Sequence, residues 1–442
     1  MISLYKDFTP TSRIKPAFFK SNPMSKFTLA YSTTLLSLSL ILNSKAALAN
    51  TEIWQHWLQQ HSHTVQASPA TQADYDWRGV DAALKGVKLV LLDEQSHGEE
   101  NVFALKAELV KHLHQKHGYD VLVMESGVFD LAQVWQRMQQ GQSLRQLAPG
   151  NLFYLYAKSP AVLNLLDYLE QQQTSAHPLQ LAGMDSQHTG RFSRELFIKT
   201  LAEQAGILSP VQRLAQNSET NWDNFSKLAQ ALLELQREIP PRAAQAAFFK
   251  TLAQLQRIFA KQPDPYWRDI CASLGNQARR YWGLSQEQRS PQMARNLLHL
   301  LTQRYAGKKV IVWGHFVHLN RSGLAQGGNV GALLAQHYGQ QMYVAHFTGN
   351  QGEYYNFLND QLTKIAPMPF KTIENLMAKQ TGEMVFANWR ALPRSLQRDQ
   401  TMQAALHSYL PDRLYDHPNS AARWQNRIDG SFYLRQIHAV TP

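Results

Sequence analysis

Four short apolar runs set the frame of the chain: Val87–Leu92, Val121–Met124, Leu179–Ala182 and Val310–Trp313. Each is β-branched or leucine-rich and is bounded by polar or glycine positions, the pattern of strands buried on both faces. Helix-period stretches separate them. Glu99–His117 places Val102, Leu105, Leu109 and Leu113 on one face, with Gly118 positioned as its stop. Leu131–Gln140 and Pro160–Gln172 lie between the second and third runs. This alternation predicts an α/β fold: a largely parallel central sheet flanked by helices, with right-handed crossovers.

The gap between the third and fourth runs differs. From Arg191 to Arg304 the pattern is helical, broken near Pro210, Pro240, Pro263 and Pro291. It predicts a helical insertion, about 190–305, that caps the carboxyl edge of the strands. Beyond the fourth run, Gly327, Gly328 and Gly331 flank a loop before a helix at Val330–His337 and a strand at Met342–Phe347. Met384–Ala387 and Ser431–Ile437 predict strands at a mixed sheet edge, and Ile373–Lys379 and Met402–Ser408 short helices. At the other end, Asn50 to Ala82 carries one helical stretch, Ile53–Gln60, expected to pack outside the main domain. No Gly/Ser linker or charge run divides residues 50–442, which are expected to form one domain.

Residues 1–49 are expected to be a leader. Lys26 precedes an apolar run, Thr28–Leu42, that is short for a bilayer span. Ala47-Leu48-Ala49 then puts small residues where a signal peptidase reads them, predicting cleavage before Asn50. Met24 fits as the start of such a leader, which would make residues 1–23 an over-extended gene start. The expected location is therefore periplasmic or secreted, with no stable membrane anchor after cleavage. The formal charge is +11, but six of the basic residues and one acid lie in the leader, which leaves +6 without it. No basic run is interleaved with aromatics, so no nucleic-acid partner is expected. Cys271 is the single cysteine. It rules out an internal disulfide, and its helical setting predicts a packed thiol rather than a nucleophile.

The chemistry gathers where the apolar runs stop. The first runs into Asp93-Glu94-Gln95-Ser96-His97, the second into Glu125-Ser126, the third into Asp185-Ser186-Gln187-His188. The fourth runs into His315-Phe316-Val317-His318, with Asn320 and Arg321 beyond. In a parallel sheet these ends share one edge, where open α/β folds bind ligands. Single acids at such places are often caps or turn formers, and Asp185 and Ser186 remain open to that explanation. Glu is a poor turn residue, however, and histidines after a strongly apolar strand are not explained by solvation.

Two hydrolytic chemistries fit this set. In one, His97 is a general base for water, oriented by Glu94 or Glu125, and His315 or His318 steadies an oxyanion or protonates the leaving group. In the other, Glu94, His97, His315 and His318 ligate a divalent metal that activates water. A third alternative is a non-catalytic periplasmic protein that holds metal or haem at the same edge. The helical H-E-x-x-H signature, the G-x-S-x-G elbow, a P-loop and a dinucleotide fingerprint are all absent.

The ordered set of motifs resembles the erythromycin esterase family. The matching residues are Asp93-Glu94-Gln95-Ser96-His97-Gly98, Glu125, Gly183-Met184-Asp185, the long helical stretch, and Trp313-Gly314-His315-Phe316-Val317-His318. The resemblance covers roughly residues 80–440. It implies hydrolysis of a small-molecule ester or lactone by water, with His97 as general base and Glu94, Glu125, His315 and His318 as its partners. It favours catalysis without metal, and no cofactor is expected. A basic residue of the family falls on Lys106, which keeps the charge but not the bidentate fork. Asp185, Lys106, Asp93 and Arg321 are the expected substrate contacts. Asp93 stands in place of a family glycine, Phe316 where asparagine is frequent, and Ser290 after Arg289 where an acid is usual. These departures fall on the cleft walls and bear on which substrate is taken.

Overall fold

The structure is a computed structural model that describes residues 51–66, 75–207, 221–284, 289–322, 328–365, 372–398 and 424–441. The expected leader and the helix expected at Met402–Ser408 lie outside these residues, as do Pro210 and Gly327.

The strands in chain order are β1 (Ser62–Thr64), β2 (Leu89–Leu92), β3 (Val121–Gly127), β4 (Gln180–Asp185) and β5 (Val310–Trp313), then β6 (Met342–Gly349), β7 (Glu353–Asn356), β8 (Gln361–Lys364), β9 (Met384–Asn388) and β10 (Gly430–Leu434). Eight of them form one sheet in the order β1-β9-β10-β6-β2-β5-β3-β4. Every pairing from β10 to β4 is parallel, and β9 runs antiparallel to β10 and β1. β2 and β5 lie in the middle with every residue buried, as their unbroken apolar sequences require. Helix Glu100–His117 makes the first crossover and stops at Gly118, whose φ of 65° is the left-handed conformation of a glycine helix stop.

The register sets the height of the site. Leu92 pairs with Trp313, Trp313 with Met124, and Leu92 with Ala345 on its other side. The residues just after these therefore emerge at one level, which gathers Asp93, Gly314, Glu125 and His346 along the carboxyl edge.

Between β4 and β5 lie helices Arg191–Gln204, Asn221–Leu233, Arg242–Phe259, Tyr266–Tyr281 and Arg289–His299. The described residues of the expected insertion are thus mostly helical. Helix Arg191–Gln204 packs on helix Val128–Gln139, and helix Arg289–His299 packs on β4. The junction is pinned by Asp130, which accepts from the Ser193 amide at 2.7 Å and the Ser193 hydroxyl at 2.6 Å. Burial pushes the Asp130 carboxyl up to about 6 despite these donors. Cys271 is buried within the insertion, and burial pushes its thiol up to about 12, which suits packing and not nucleophilic work.

The edges depart from the sequence expectation. β3 continues three residues past Met124, because Glu125 and Ser126 find partners at a buried edge and need not leave the ladder for water. The amino-terminal segment is helical over 51–61 and then adds β1 to β9, so it extends the sheet. The β7–β8 hairpin was not expected, since its strands are short and β8 is mostly exposed. It docks through backbone: the Tyr355 amide donates to the Gly98 carbonyl at 3.0 Å. A Cβ at Gly98 would lie 1.9 Å from the Tyr355 oxygen, so this approach requires glycine.

Candidate active site

Glu94 is the centre of the carboxyl edge. It is fully buried and its two oxygens are saturated with donors. Oε1 takes the Tyr156 hydroxyl at 2.6 Å and His97 Nδ1 at 3.0 Å, while Oε2 takes Lys106 Nζ. Lys106 is itself wholly buried, with its ammonium 4.2 Å from the centre of the Trp313 ring. Burial pushes the Glu94 carboxyl up, but Lys106 and His97 outweigh it and hold the group below the ordinary carboxylate value. Glu94 is therefore an anion that fixes one tautomer of His97. Nδ1 carries the proton, and Nε2 carries the lone pair.

The His97 ring is 6% exposed and is walled by aromatic side chains: Phe153 at 4.5 Å, Phe357 at 5.2 Å and Tyr156 at 5.5 Å between ring centres. Phe153 is placed by its amide, which donates to the Ser126 hydroxyl at 3.1 Å, and Phe357 follows directly on β7. The His315 ring lies 4.8 Å from that of His97. His97 Nε2 is 3.9 Å from Glu125 Oε1, beyond hydrogen-bond reach.

Glu125 makes the second anion. Its Oε2 takes the His315 amide at 2.8 Å and its Oε1 takes Arg289 at 2.5 Å, while His318 Nε2, 3.3 Å from that oxygen, accepts from the same Arg289 nitrogen at 2.7 Å. The close approach of this carboxylate explains Gly314, where a Cβ would lie 2.9 Å from Oε2. Burial pushes Glu125 up, but His318, His97 and Arg289 together hold it well below the ordinary range. His318 is bound on both ring nitrogens, with the Ser290 hydroxyl 2.6 Å from Nδ1. His315 is different. The Val317 amide donates to its Nδ1 at 3.2 Å, which leaves the proton of a neutral ring on Nε2. Burial, with the nearby His97 next, pushes its pKa well below the usual imidazole value. His315 is thus a neutral hydrogen-bond donor facing His97.

The structure brings Glu94, His97, Glu125, His315 and His318 together, with Asp185 at the rim, 3.3 Å from Arg289. Three of the expected substrate contacts have protein partners of their own. Lys106 has no exposed surface and is spent on Glu94. Asp93 is equally buried, since its side chain turns toward β6 and meets His346 Nδ1 at 2.6 Å. Burial raises its carboxyl pKa against the pull of His346. Arg321 leaves the edge altogether. It pairs with Asp429 at 2.7 Å and donates to the Met342 carbonyl, at the amino end of β6. As for the metal alternative, Glu94, His97, His315 and His318 each have their own partners at this edge. Among the described residues, the ligand atoms that converge within 4.8 Å belong to Asp81, His112 and His117.

Sequence reasoning gave no role to Arg289, Tyr156, Phe153, Phe357 or His346. Only His346 carried a usable signal, as a histidine inside an apolar strand that must find a buried partner.

The chain thus has a mostly parallel α/β sheet with Glu94, Glu125, His97, His315 and His318 gathered at its carboxyl edge. The chain belongs to the erythromycin esterase family, a family of ester-hydrolysing enzymes, whose model matches residues 114–437. The match contains Glu125, Asp185, Arg289, His315 and His318. Glu94, His97 and Lys106 precede it, and the sheet register brings them to the same place. The chain is 25% identical over 401 residues to the Bacillus subtilis (strain 168) protein named "Putative hydrolase YbfO", covering 82% of this chain and 87% of that one. A Bacillus cereus protein has the same fold with a TM-score of 0.66 at 14% identity, over 89% of this chain and 99% of its own. A histidine-to-asparagine mutant of the erythromycin esterase EreC, in its open conformation, gives a TM-score of 0.62 at 15% identity, over 86% and 98% of the two chains. No helix among the described residues is long and apolar enough to cross a membrane.

Proposed function

We propose that this enzyme opens an ester or lactone of a small molecule by direct attack of water, with His97 as the general base. The observation that carries the proposal is the 3.0 Å contact between His97 Nδ1 and Glu94, which leaves Nε2 as the basic nitrogen on the side of His315 and Glu125. Water held there loses a proton to Nε2 as its oxygen attacks the carbonyl carbon. Glu94 stabilises the imidazolium that results, and Lys106 and Tyr156 keep Glu94 from moving. His315, as a neutral donor, meets the oxyanion. The C–O bond then breaks, and His97 returns its proton to the departing alkoxide. His318 and Arg289 act at one remove, by positioning Glu125. Phe153 and Phe357 favour a substrate with an apolar face beside the scissile bond.

The proposed location is periplasmic or secreted, on the strength of the Thr28–Leu42 run and Ala47-Leu48-Ala49. Amino-terminal sequencing of the protein from its native host tests this, with Asn50 expected first and Met1 or Met24 contrary to it.

A panel of esters and lactones, macrolides included, tests the reaction. Acid and alcohol are expected from at least one member, at a rate unchanged by a chelator. Turnover that collapses on chelation and returns with a divalent ion would replace His97 by a metal as the activator of water.

A further inference from the structure

The second histidine cluster lies at the far end of the helix that starts beside the active site. Helix Glu100–His117 ends with His112 and His117, and Asp81 reaches them from helix Arg78–Ala83. His112 Nε2 is 2.6 Å and His117 Nε2 2.7 Å from the same atom, Asp81 Oδ1. Five positions apart on a helix, the two side chains leave its axis about 140° apart, so they reach Asp81 from either side. Their ring centres are 5.4 Å apart, and the three ligand atoms all lie within 4.8 Å of one another.

We propose that Asp81, His112 and His117 form a binding site for a divalent transition-metal ion, with zinc as its best-matched occupant. Two imidazole nitrogens and one carboxylate oxygen are the donor set that such ions take, and zinc bonds to them at about 2.0–2.2 Å. Around a tetrahedral ion these donors sit about 3.3 Å apart, so Asp81 must retreat from the 2.6 and 2.7 Å contacts by roughly 0.7 Å while the two histidine nitrogens, within 4.8 Å of each other, settle around the ion. Asp81 has the freedom to do so, since its side chain is 39% exposed. The histidines are more enclosed, and the ring of Trp77 lies 5.5 Å from that of His112. Three protein donors leave the outward position of the ion to water.

Bound there, the ion adds metal–ligand bonds between two helices whose side chains already share the Asp81 oxygen. It clamps the chain entering β2 against the helix leaving it. It acts on stability and not on the ester reaction, because an 18-residue helix puts its two ends roughly 25 Å apart.

Zinc chloride titrated calorimetrically into the untagged, chelator-stripped full chain tests the site. One ion per chain is expected, with a rise in unfolding temperature on zinc addition. The His112→Ala/His117→Ala double variant is expected to bind at least roughly tenfold more weakly and to lose the thermal shift. Asp81→Asn, which keeps the shape of the cluster, is expected to weaken binding in the same direction if the double variant does not fold. His97→Ala, at the other end of the helix, keeps the ion. Unchanged zinc affinity in Asp81→Asn and the double variant, absence of a one-to-one site in the wild type, or loss of the ion in His97→Ala would each overturn the proposal.

Discussion

Glu94 accepts His97 Nδ1 at 3.0 Å on one oxygen while Lys106, with no exposed surface, is held against the other. The base and its buried counter-ion thus share one carboxylate. Glu94→Gln keeps the shape and removes the charge, which leaves Lys106 an uncompensated cation in the core. Urea unfolding is expected to show a loss of about 3–5 kcal/mol, with turnover down by roughly a hundredfold or more. Adding Lys106→Met should restore much of the stability and little of the turnover. Recovery of both together would mean that Glu94 serves the fold alone.

Arg289 is the link between the insertion and Glu125, at 2.5 Å. Arg289→Ala should cost about 2 kcal/mol of stability, the scale of a hydrogen bond to a charged group. It also removes one of the cations that hold the Glu125 carboxyl down. Loss of that cation leaves more negative charge beside His97, 3.9 Å from Glu125, so the acid limb of the kcat/KM profile that His97 carries should move to higher pH, whereas a purely structural Arg289 would leave its position unchanged.

His315 makes stability depend on pH. Its pKa in the folded chain lies well below the value of 6.5 it takes when exposed. The unfolded chain therefore binds a proton there that the folded chain refuses. The stabilisation is fully present above pH 6.5 and is lost as pH falls below it toward the folded value. The slope is about 1.4 kcal/mol per pH unit for this one group. Urea unfolding of wild type and His315→Gln at pH 7.5 and 5.5 isolates it. The wild type should lose more stability across that interval than the variant, and equal losses would place the ring in water.

Arg321 and Asp93 pair with Asp429 and His346, away from the Glu94–His97 pair. Arg321→Ala breaks the pair with Asp429 and should lower the unfolding temperature with little change in KM. Asp93→Asn should likewise act on stability, through His346. A KM raised severalfold with stability intact in either variant would return that residue to the cleft.

Much of the site was legible because a parallel sheet turns sequence order into spatial coincidence. Each apolar run announced a strand, and the residue after it announced a place on one shared edge. Glu94, His97, Glu125 and His315 were placed on that edge in that way, and they lie together there. The direction of a side chain at that edge was not legible. Asp93 and Glu94 are adjacent, yet one turns to β6 and the other to Tyr156, because backbone alternation sends neighbours to opposite sides. Arg321 was misplaced for a related reason. The turn at Phe316–Leu319 and the chain after it lead away from the edge, and no periodicity records that. Arg289 and Tyr156 reach Glu125 and Glu94 across 164 and 62 residues. Their sequence surroundings are those of ordinary helix residues, so only the fold reveals them.

The most direct test of the account is kcat/KM of wild type and His97→Ala on the best ester or lactone of the panel, followed from pH 5 to 9. The account predicts a fall of roughly 10²–10⁴-fold at neutral pH, with loss of the acid limb that the wild type shows. Turnover within a few-fold of wild type, with the same pH profile, would contradict it.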